Sequence, residues 1–121
     1  MASILVVDDD ALVRELVRGV LESAGHRVRT VDDGFAALRA VAAERPDCVV
    51  LDIMMPGMDG YETTRAIRER PSFRALPIIA LTAKAMKGDR ELSVQAGASD
   101  YITKPVDIDQ LLSLMRVWLY R

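Results

Sequence analysis

The stretch 48–53, Cys-Val-Val-Leu-Asp-Ile, is apolar except for the aspartate at position 52. A strand with one solvated face would alternate between apolar and polar residues, so this continuous run predicts a strand buried on both faces. Such strands are typical of parallel sheets that are covered by helices on each side. The stretch therefore predicts an α/β fold, with Asp52 at the carboxyl end of a central strand.

Short apolar segments alternate with stretches of helical spacing along the whole chain on either side of this strand. The predicted strands are residues 4–7, 28–31, 48–53, 78–82 and 100–103. Five βα units with short connections favour a flavodoxin-like, doubly wound sheet of five parallel strands in the order 2-1-3-4-5, with five helices. Residues 1–121 are expected to form one domain.

Polar residues and glycines mark the predicted helix ends. Asp10 is expected to cap the first helix and Gly25 to follow its end, and residues 59–62 resemble a capping box for the third. The fourth helix is expected over Lys87–Gln95, with Gly97 after it. The residues expected to face the core are Leu12, Val13, Leu16, Val17, Val20 and Leu21 in the first helix, Ala37, Leu38, Val41 and Ala42 in the second, and Ile108, Leu111, Leu112, Met115 and Leu119 in the last.

The composition of the 121 residues is that of a globular domain, with 50% hydrophobic and 28% charged residues. The net charge of −2 and the scattered basic residues argue against a nucleic-acid partner, and the helix faces with Arg14 and Arg18 are expected to be solvated. Cys48 is the only cysteine, which excludes an internal disulfide and suggests a small core residue. Without a leader-like start or an apolar run of membrane-spanning length, we expect a cytoplasmic protein with no membrane partner.

Polar side chains follow four of the predicted strands at the point where each strand ends. They are Asp8 and Asp9, Asp52, Thr82, and Lys104. Because ligands of open parallel sheets bind at the carboxyl ends of the strands, these groups are expected to meet in one crevice. Three carboxylates, a hydroxyl and an ammonium together indicate a magnesium-dependent phosphoryl site.

The charges in this crevice explain why a cation is expected. Three converging carboxylates repel one another, and an oxygen donor set of this kind suits Mg²⁺. Asp10 alone is enough to cap the helix, so capping leaves Asp8 and Asp9 unexplained. Asp52 is the candidate nucleophile toward phosphorus, while Lys104 offers a fixed positive charge and Thr82 a hydroxyl.

Together, four motifs resemble the receiver domain of two-component response regulators, a family that includes the chemotaxis regulators. They are Asp8-Asp9, residues 51–60 (LDIMMPGMDG), residues 81–83 (LTA) and residues 101–105 (YITKP). The resemblance covers essentially the whole chain. Residues 80–90 and 111–120 look most like receivers attached to hybrid histidine kinases.

The resemblance implies a role for each of these residues. Asp52 would accept a phosphoryl group from the phosphohistidine of a histidine kinase or a histidine phosphotransfer protein. Mg²⁺ would be bound by Asp9, Asp52 and the backbone carbonyl of Met54, with Asp8 acting mainly through water. Lys104 would contact the phosphoryl group, and the bond between Lys104 and Pro105 is expected to be cis.

The resemblance also implies a switch. Thr82 would move toward the phosphoryl group and Tyr101 would rotate inward behind it, which would change a surface made by the fourth helix, fifth strand and fifth helix for a downstream effector. Met54 and Lys84 would tune the phosphoryl lifetime, which we expect to be fairly long. Such a protein dephosphorylates itself slowly but is not a turnover enzyme.

Three alternatives remain open at this point. A flavodoxin-type small-molecule binder has the same expected fold but needs a Ser/Thr/Gly-rich phosphate loop after the first strand, and residues 8–11 offer none. An aspartyl-phosphate phosphohydrolase usually has a second acid two residues after the nucleophile, where this chain has Met54. A receiver-like interaction module would not use the acidic set. The sequence also leaves open whether the chain is a stand-alone regulator or a domain of a hybrid kinase.

Overall fold

The structure is a computed structural model that describes residues 2–83 and 88–120. Strands and helices alternate along the chain. The elements are β1 (Ser3–Val7), α1 (Ala11–Ser23), β2 (Arg27–Val31), α2 (Gly34–Ala43), β3 (Cys48–Asp52), α3 (Gly60–Arg68), a short 3₁₀ helix (Pro71–Phe73), β4 (Ile78–Thr82), α4 (Asp89–Ala96), β5 (Asp100–Thr103) and α5 (Ile108–Leu119). In the described part of the chain, no helix has the length and apolar character needed to cross a membrane.

The five strands form one parallel sheet in the order β2-β1-β3-β4-β5, which confirms the predicted flavodoxin-like topology. In register, Val6 lies opposite Val50, and Leu51 lies opposite Ala80. Because every pair is parallel, the carboxyl ends of all five strands lie on the same edge of the sheet. The topology therefore brings together the side chains that follow these ends.

The core has two layers, one on each face of the sheet. Every residue of β3 is buried, as its continuous apolar sequence predicted. Side chains such as Val50 pack with Leu21 and Leu111 on one face, while neighbours such as Val49 pack with Val41 on the other. Cys48 is a buried core residue, as predicted, and burial raises the pKa of its thiol to about 12. The thiol is therefore protonated at neutral pH and is not a nucleophile.

The predicted caps at both ends of α1 and at the start of α3 are confirmed. The Asp10 carboxylate accepts the amide hydrogen of Leu12 at 2.9 Å, and Asp59 forms a capping box with Glu62. Gly25 follows α1 with a φ of 93°, a left-handed conformation that favours glycine. Helix α4 begins at Asp89. Its expected first residue, Lys87, lies outside the described residues.

Some helical residues that were expected to face the core are exposed. Leu12 is 82% exposed, Leu16 49% and Ile108 46%, and Ala42 is also exposed. The apolar stripe of α1 is wider than the surface that the sheet and α5 can cover, so only its centre around Val17 and Leu21 is fully buried. An apolar strip therefore remains on the surface along α1 and the start of α5.

Gly60 connects the start of α3 to the end of β3 by direct backbone contact. Its amide donates to the carbonyl of Ile53 at 2.9 Å. A Cβ at this position would lie 2.6 Å from Cα of Ile53 and would also collide with the carbonyl oxygen of Asp52. Only a residue without a side chain fits here, because both obstructing groups are backbone.

We predict that Gly60→Ala lowers the free energy of unfolding by about 2 kcal/mol, since the clash must be relieved by moving the backbone. The matched control is Gly19→Ala in the middle of α1, where an added Cβ meets nothing within 4 Å. That substitution should raise stability by about 0.5–1 kcal/mol because alanine favours a helix. Urea unfolding of both variants tests the pair, and equal effects would contradict the packing argument.

Candidate functional site

The acidic residues that follow β1 and β3 lie side by side at the carboxyl edge of the sheet. Carboxylate oxygens of Asp8, Asp9 and Asp52 all lie within 4.8 Å of one another. Asp8 and Asp52 are buried, whereas Asp9 is exposed. The crevice thus has a buried floor of two carboxylates and a third at its opening.

Local hydrogen bonds hold the turn after β1 in place. The amide of Asp10 donates to the Asp8 carboxylate at 2.9 Å, and the guanidinium of Arg14 donates to the Asp8 backbone carbonyl at 2.8 Å. Arg14 and Arg18 were both expected on solvated helix faces, and both are half-exposed. Arg14 reaches back to the acidic turn, whereas Arg18 pairs with Glu15 and Glu22. Helical spacing could not distinguish the two arginines, because the turn that Arg14 contacts precedes the helix.

Lys104 reaches the buried carboxylates from the end of β5. Its ammonium nitrogen lies 3.1 Å from Asp52 Oδ1 and 3.3 Å from Asp8 Oδ2, and its side chain is 29% exposed. The Lys104 amide donates to the carbonyl of Thr82 at 2.7 Å, and the bond to Pro105 is cis, as expected. The positive charge is therefore held between two carboxylates of the crevice.

Asp52 has an unusually basic carboxylate for this residue type. Burial and the nearby charge of Asp8 raise its pKa from 3.8 to about 6. The ammonium of Lys104 and the amide of Met54, which donates to Asp52 Oδ1 at 3.3 Å, act in the opposite direction. Lys104 and the Met54 amide therefore do not fully offset the free-energy cost of ionising the Asp52 carboxylate.

The neighbouring carboxylates also change the pKa of Lys104. Burial lowers the pKa of its ammonium, but the hydrogen bond and charge of Asp52, together with Asp8, outweigh burial and raise it. Lys104 therefore remains protonated and provides a permanent cation beside Asp52. A protonated Lys104 still leaves the three neighbouring carboxylates with excess negative charge.

The donor set fits a hard divalent cation. Asp8 Oδ2 is buried and, among the described residues, accepts no well-aligned hydrogen bond, although the Lys104 ammonium is 3.3 Å away. A carboxylate oxygen in this state gains from a further positive partner. Oxygen donors from three aspartates are the type of ligand that Mg²⁺ prefers.

The remaining predicted site residues lie around the crevice. Thr82 is buried at the end of β4, and its hydroxyl donates to the carbonyl of Ile102 at 3.5 Å, a long hydrogen bond. Tyr101 is half-buried in β5, and Met54 is 55% exposed just after Asp52. Lys84 lies outside the described residues, so its predicted role is not addressed by the structure.

A model of the response regulator receiver domain matches residues 4–116 of the chain. Response regulator MprA of Mycolicibacterium vanbaalenii is 46% identical over 118 residues, which cover 98% of this chain and 50% of MprA. Sensor histidine kinase GacS of Pseudomonas protegens is 43% identical over 118 residues, covering 95% of this chain and 13% of GacS. The chain thus spans about half the length of MprA and a small part of GacS.

Solved structures agree with these relatives. The receiver domain of sensor histidine kinase PA1611 from Pseudomonas aeruginosa superimposes with a TM-score of 0.92 at 39% identity, covering 99% of this chain and 98% of that one. That crystal structure has a magnesium ion coordinated in its active site cleft. Relatives of both kinds, response regulators and hybrid kinases, are thus similar to this chain.

The raised pKa of Asp52 predicts how the stability of the metal-free protein depends on pH. The folded state holds the Asp52 proton more tightly than the unfolded state, so the free energy of unfolding should fall as pH rises from about 4 to about 6. We predict that Asp52→Asn stabilises the metal-free protein by on the order of 2 kcal/mol near pH 8 and much less near pH 5.

Urea unfolding in chelator at both pH values measures this difference. Asp109→Asn, at an exposed position in α5, is the matched control and should change stability little at either pH. A stabilisation by Asp52→Asn that is the same at both pH values would contradict the electrostatic account.

Proposed function

Because this chain belongs to the response regulator receiver domains, we propose that Asp52 accepts a phosphoryl group from the phosphohistidine of a histidine kinase or a histidine phosphotransfer protein. One observation carries the proposal: a buried carboxylate of raised pKa lies 3.1 Å from the ammonium of Lys104 at the ligand-binding edge of the sheet. This edge is where a doubly wound fold binds its ligands. The chain is accordingly a signalling receiver rather than a turnover enzyme.

The proposed reaction is a direct phosphoryl transfer. An oxygen of the Asp52 carboxylate attacks phosphorus, the phosphorus–nitrogen bond of the donor breaks, and its electron pair stays on the leaving imidazole. Lys104 remains beside the new acyl phosphate and offsets part of its negative charge. Hydrolysis of the acyl phosphate then regenerates Asp52 slowly.

We propose that Asp9, Asp52 and the backbone carbonyl of Met54 would bind the magnesium ion, with Asp8 acting mainly through water. The mutual proximity of the three carboxylates and the lack of a well-aligned hydrogen bond to Asp8 Oδ2 among the described residues support this assignment. When bound, the ion supplies the positive charge that Lys104 alone does not provide for a transferring phosphoryl group. Met54 itself is exposed and apolar, and a side chain that cannot orient an attacking water favours a long-lived acyl phosphate.

We propose that Thr82 and Tyr101 couple phosphorylation of Asp52 to a change of the surface formed by α4, β5 and α5. The long hydrogen bond of the Thr82 hydroxyl to the Ile102 carbonyl is weak, so the exchange of this bond for one to a phosphoryl oxygen is favourable. The backbone bond between Lys104 and Thr82 places both residues on the same side of the crevice. A downstream effector would recognise the altered surface.

The proposed setting is a cytoplasmic signalling protein in which residues 1–121 form one receiver unit. Relatives of about twice this length and of much greater length both contain a matching segment. The complete reading frame around residues 1–121 distinguishes a stand-alone regulator from a domain of a hybrid kinase. Neither the flavodoxin-type nor the phosphohydrolase alternative is favoured by an observation on the described residues.

The apolar strip along α1 and α5 is a suitable docking surface for the phosphodonor protein. It is formed by Leu12, Leu16 and Ile108, with a groove of about 530 Å³ between α1 and α5. Leu12 and Ile108 both lie in the first turns of helices that begin at the same edge as Asp52. A protein bound there would present its phosphohistidine to the crevice.

Phosphorylation of Asp52 is tested by intact mass after treatment with a small acyl phosphate donor and Mg²⁺. We expect one phosphoryl group on the wild-type chain, none on Asp52→Asn and none in chelator, because the carboxylate and the cation are both required. Asp109→Asn is the control and should be modified like the wild type. Modification of the Asp52→Asn variant at wild-type level would refute the proposal.

Docking is tested separately with Leu12→Glu, which places a charge on the strip in the first turn of α1. We expect transfer from a phosphorylated histidine phosphotransfer protein to slow by about tenfold or more, since a desolvated charge costs more than 1.4 kcal/mol. Modification by the small donor should be unchanged. The control Val117→Glu changes an equally apolar residue, 52% exposed, at the opposite end of α5 and should leave both reactions intact.

A further inference from the structure

Arg68, the last residue of α3, joins three parts of the fold through one guanidinium. Its Nε donates to the carbonyl of Gly97 at 2.8 Å, and Nη1 donates to the carbonyls of Phe73 and Leu76 at 2.6 and 2.7 Å. Nη2 donates to the Ser99 hydroxyl at 3.3 Å, and this hydroxyl also accepts the amide hydrogen of Ile78. The end of α3, the loop before β4 and the segment that follows α4 are thereby fixed to one another.

This arginine is held by neutral groups. Within the described ranges, no carboxylate lies within ion-pair distance of Arg68, and burial lowers its pKa. The partners are backbone carbonyls that already carry partial negative charge, including Gly97 immediately after α4. The guanidinium thus acts as a structural clamp and not as part of a surface ion pair.

Packing beside Gly97 shows how closely this clamp fits. Gly97 has a φ of 108°, and a Cβ there would lie 2.9 Å from Cγ of Arg68. The amide of Ala98 donates to the carbonyl of Ser93 at 2.9 Å, and that of Ser99 to Ile78 at 2.8 Å. The C-terminal end of α4 is therefore fixed by its own turn and by Arg68 together.

Among the described residues, none gives the N-terminal end of α4 comparable support. The residue before the helix is Gly88, which offers no side chain to cap the first turn. Helices α1, α2, α3 and α5 are each preceded by an aspartate whose side chain accepts a backbone amide hydrogen. Within the part of the chain that the structure describes, α4 is thus the one α-helix without a side-chain cap at its start.

Three described side chains of α4 also lie in unfavourable surroundings. Leu92 is 47% exposed and Val94 63%, while Ser93 is buried with a hydroxyl that forms no hydrogen bond to any described residue. An exposed apolar side chain and a buried unsatisfied hydroxyl both cost free energy. The contacts along α4 therefore stabilise its present orientation less than the Arg68 contacts stabilise its C-terminal end.

We propose that Arg68 is a positioning residue that fixes the C-terminal end of α4, so that on phosphorylation of Asp52 the helix pivots about Gly97 instead of shifting as a whole. This inference rests on the proposed function, since the phosphoryl group supplies the signal. The uncapped end of α4 is the one that follows β4 and Thr82, and the clamped end is the one that precedes β5. The pivot converts a local change at Thr82 into a change of angle at the exposed Leu92 and Val94.

Amide hydrogen exchange measured by NMR on the full chain, with Mg²⁺ and with or without an excess of small acyl phosphate donor, tests the pivot. In the wild type we expect phosphorylation to change exchange of the Leu92 amide, which bonds to Gly88, by roughly tenfold. Exchange of Ala98 and Ser99 should change less than about twofold. Equal changes at both ends of α4 would overturn the proposal.

Arg68→Met removes the clamp while keeping much of the apolar stem, and Arg65→Met, at an exposed position on the same helix, is the control. We expect phosphorylation of Arg68→Met to change Ala98 and Ser99 about as strongly as Leu92, whereas Arg65→Met should behave like the wild type. Arg68→Lys should restore part of the difference between the two ends, since its ammonium can donate to some of the same carbonyls. A general loss of stability would instead speed exchange in β2 and α2 as well.

Intact mass of each sample separates failure of this inference from failure of the proposed function. If wild-type Asp52 is not modified, the proposed function fails. If Asp52 is modified and α4 responds equally at both ends, only the pivot fails. Should Arg68→Met not fold, the wild-type pattern and the Arg68→Lys variant still decide the matter.

Discussion

The ammonium of Lys104, shared between two buried carboxylates, is the interaction on which the rest of the structure depends. It joins the ends of three strands, because Asp8 follows β1, Asp52 ends β3 and Lys104 follows β5. Lys104 does not balance all the negative charge, and burial together with the charge of Asp8 raises the pKa of Asp52. A protein that keeps such an imbalance at a sheet edge favours an additional cation there and a carboxylate that is basic enough to react.

The sequence was most informative where the determinants are local. The apolar run of β3 predicted burial on both faces, and the aspartates before the helices predicted their starts, because a strand pattern and a helix cap each depend on a few adjacent residues. Parallel topology then required the strand ends to meet, which is why the acidic crevice could be anticipated. The contacts of Asp8, Asp52 and Lys104 lie where this reasoning placed them, while their chemical roles remain predictions.

Features that depend on distant parts of the chain were not predictable in this way. Leu12 and Ile108 have the spacing of core residues, yet the sheet is too narrow to cover them. Arg14 and Arg68 have the sequence context of surface residues, and their long side chains turn back onto backbone carbonyls that only the folded chain provides. An arginine bonded to carbonyls leaves no pattern in the sequence, whereas a cap or an apolar stripe does.

The contact between Gly60 and the end of β3 fixes the backbone beside Asp52 independently of the side chains in the loop that follows. The loop from Met54 to Met58 is closed at its base, where the Gly60 amide bonds to the Ile53 carbonyl and α3 rests on the backbone beneath Asp52. Side chains of the loop can therefore be exchanged during evolution without displacing the reactive carboxylate. A lineage could retune the persistence of its signal, from brief to lasting, while the geometry that receives the signal stays constant.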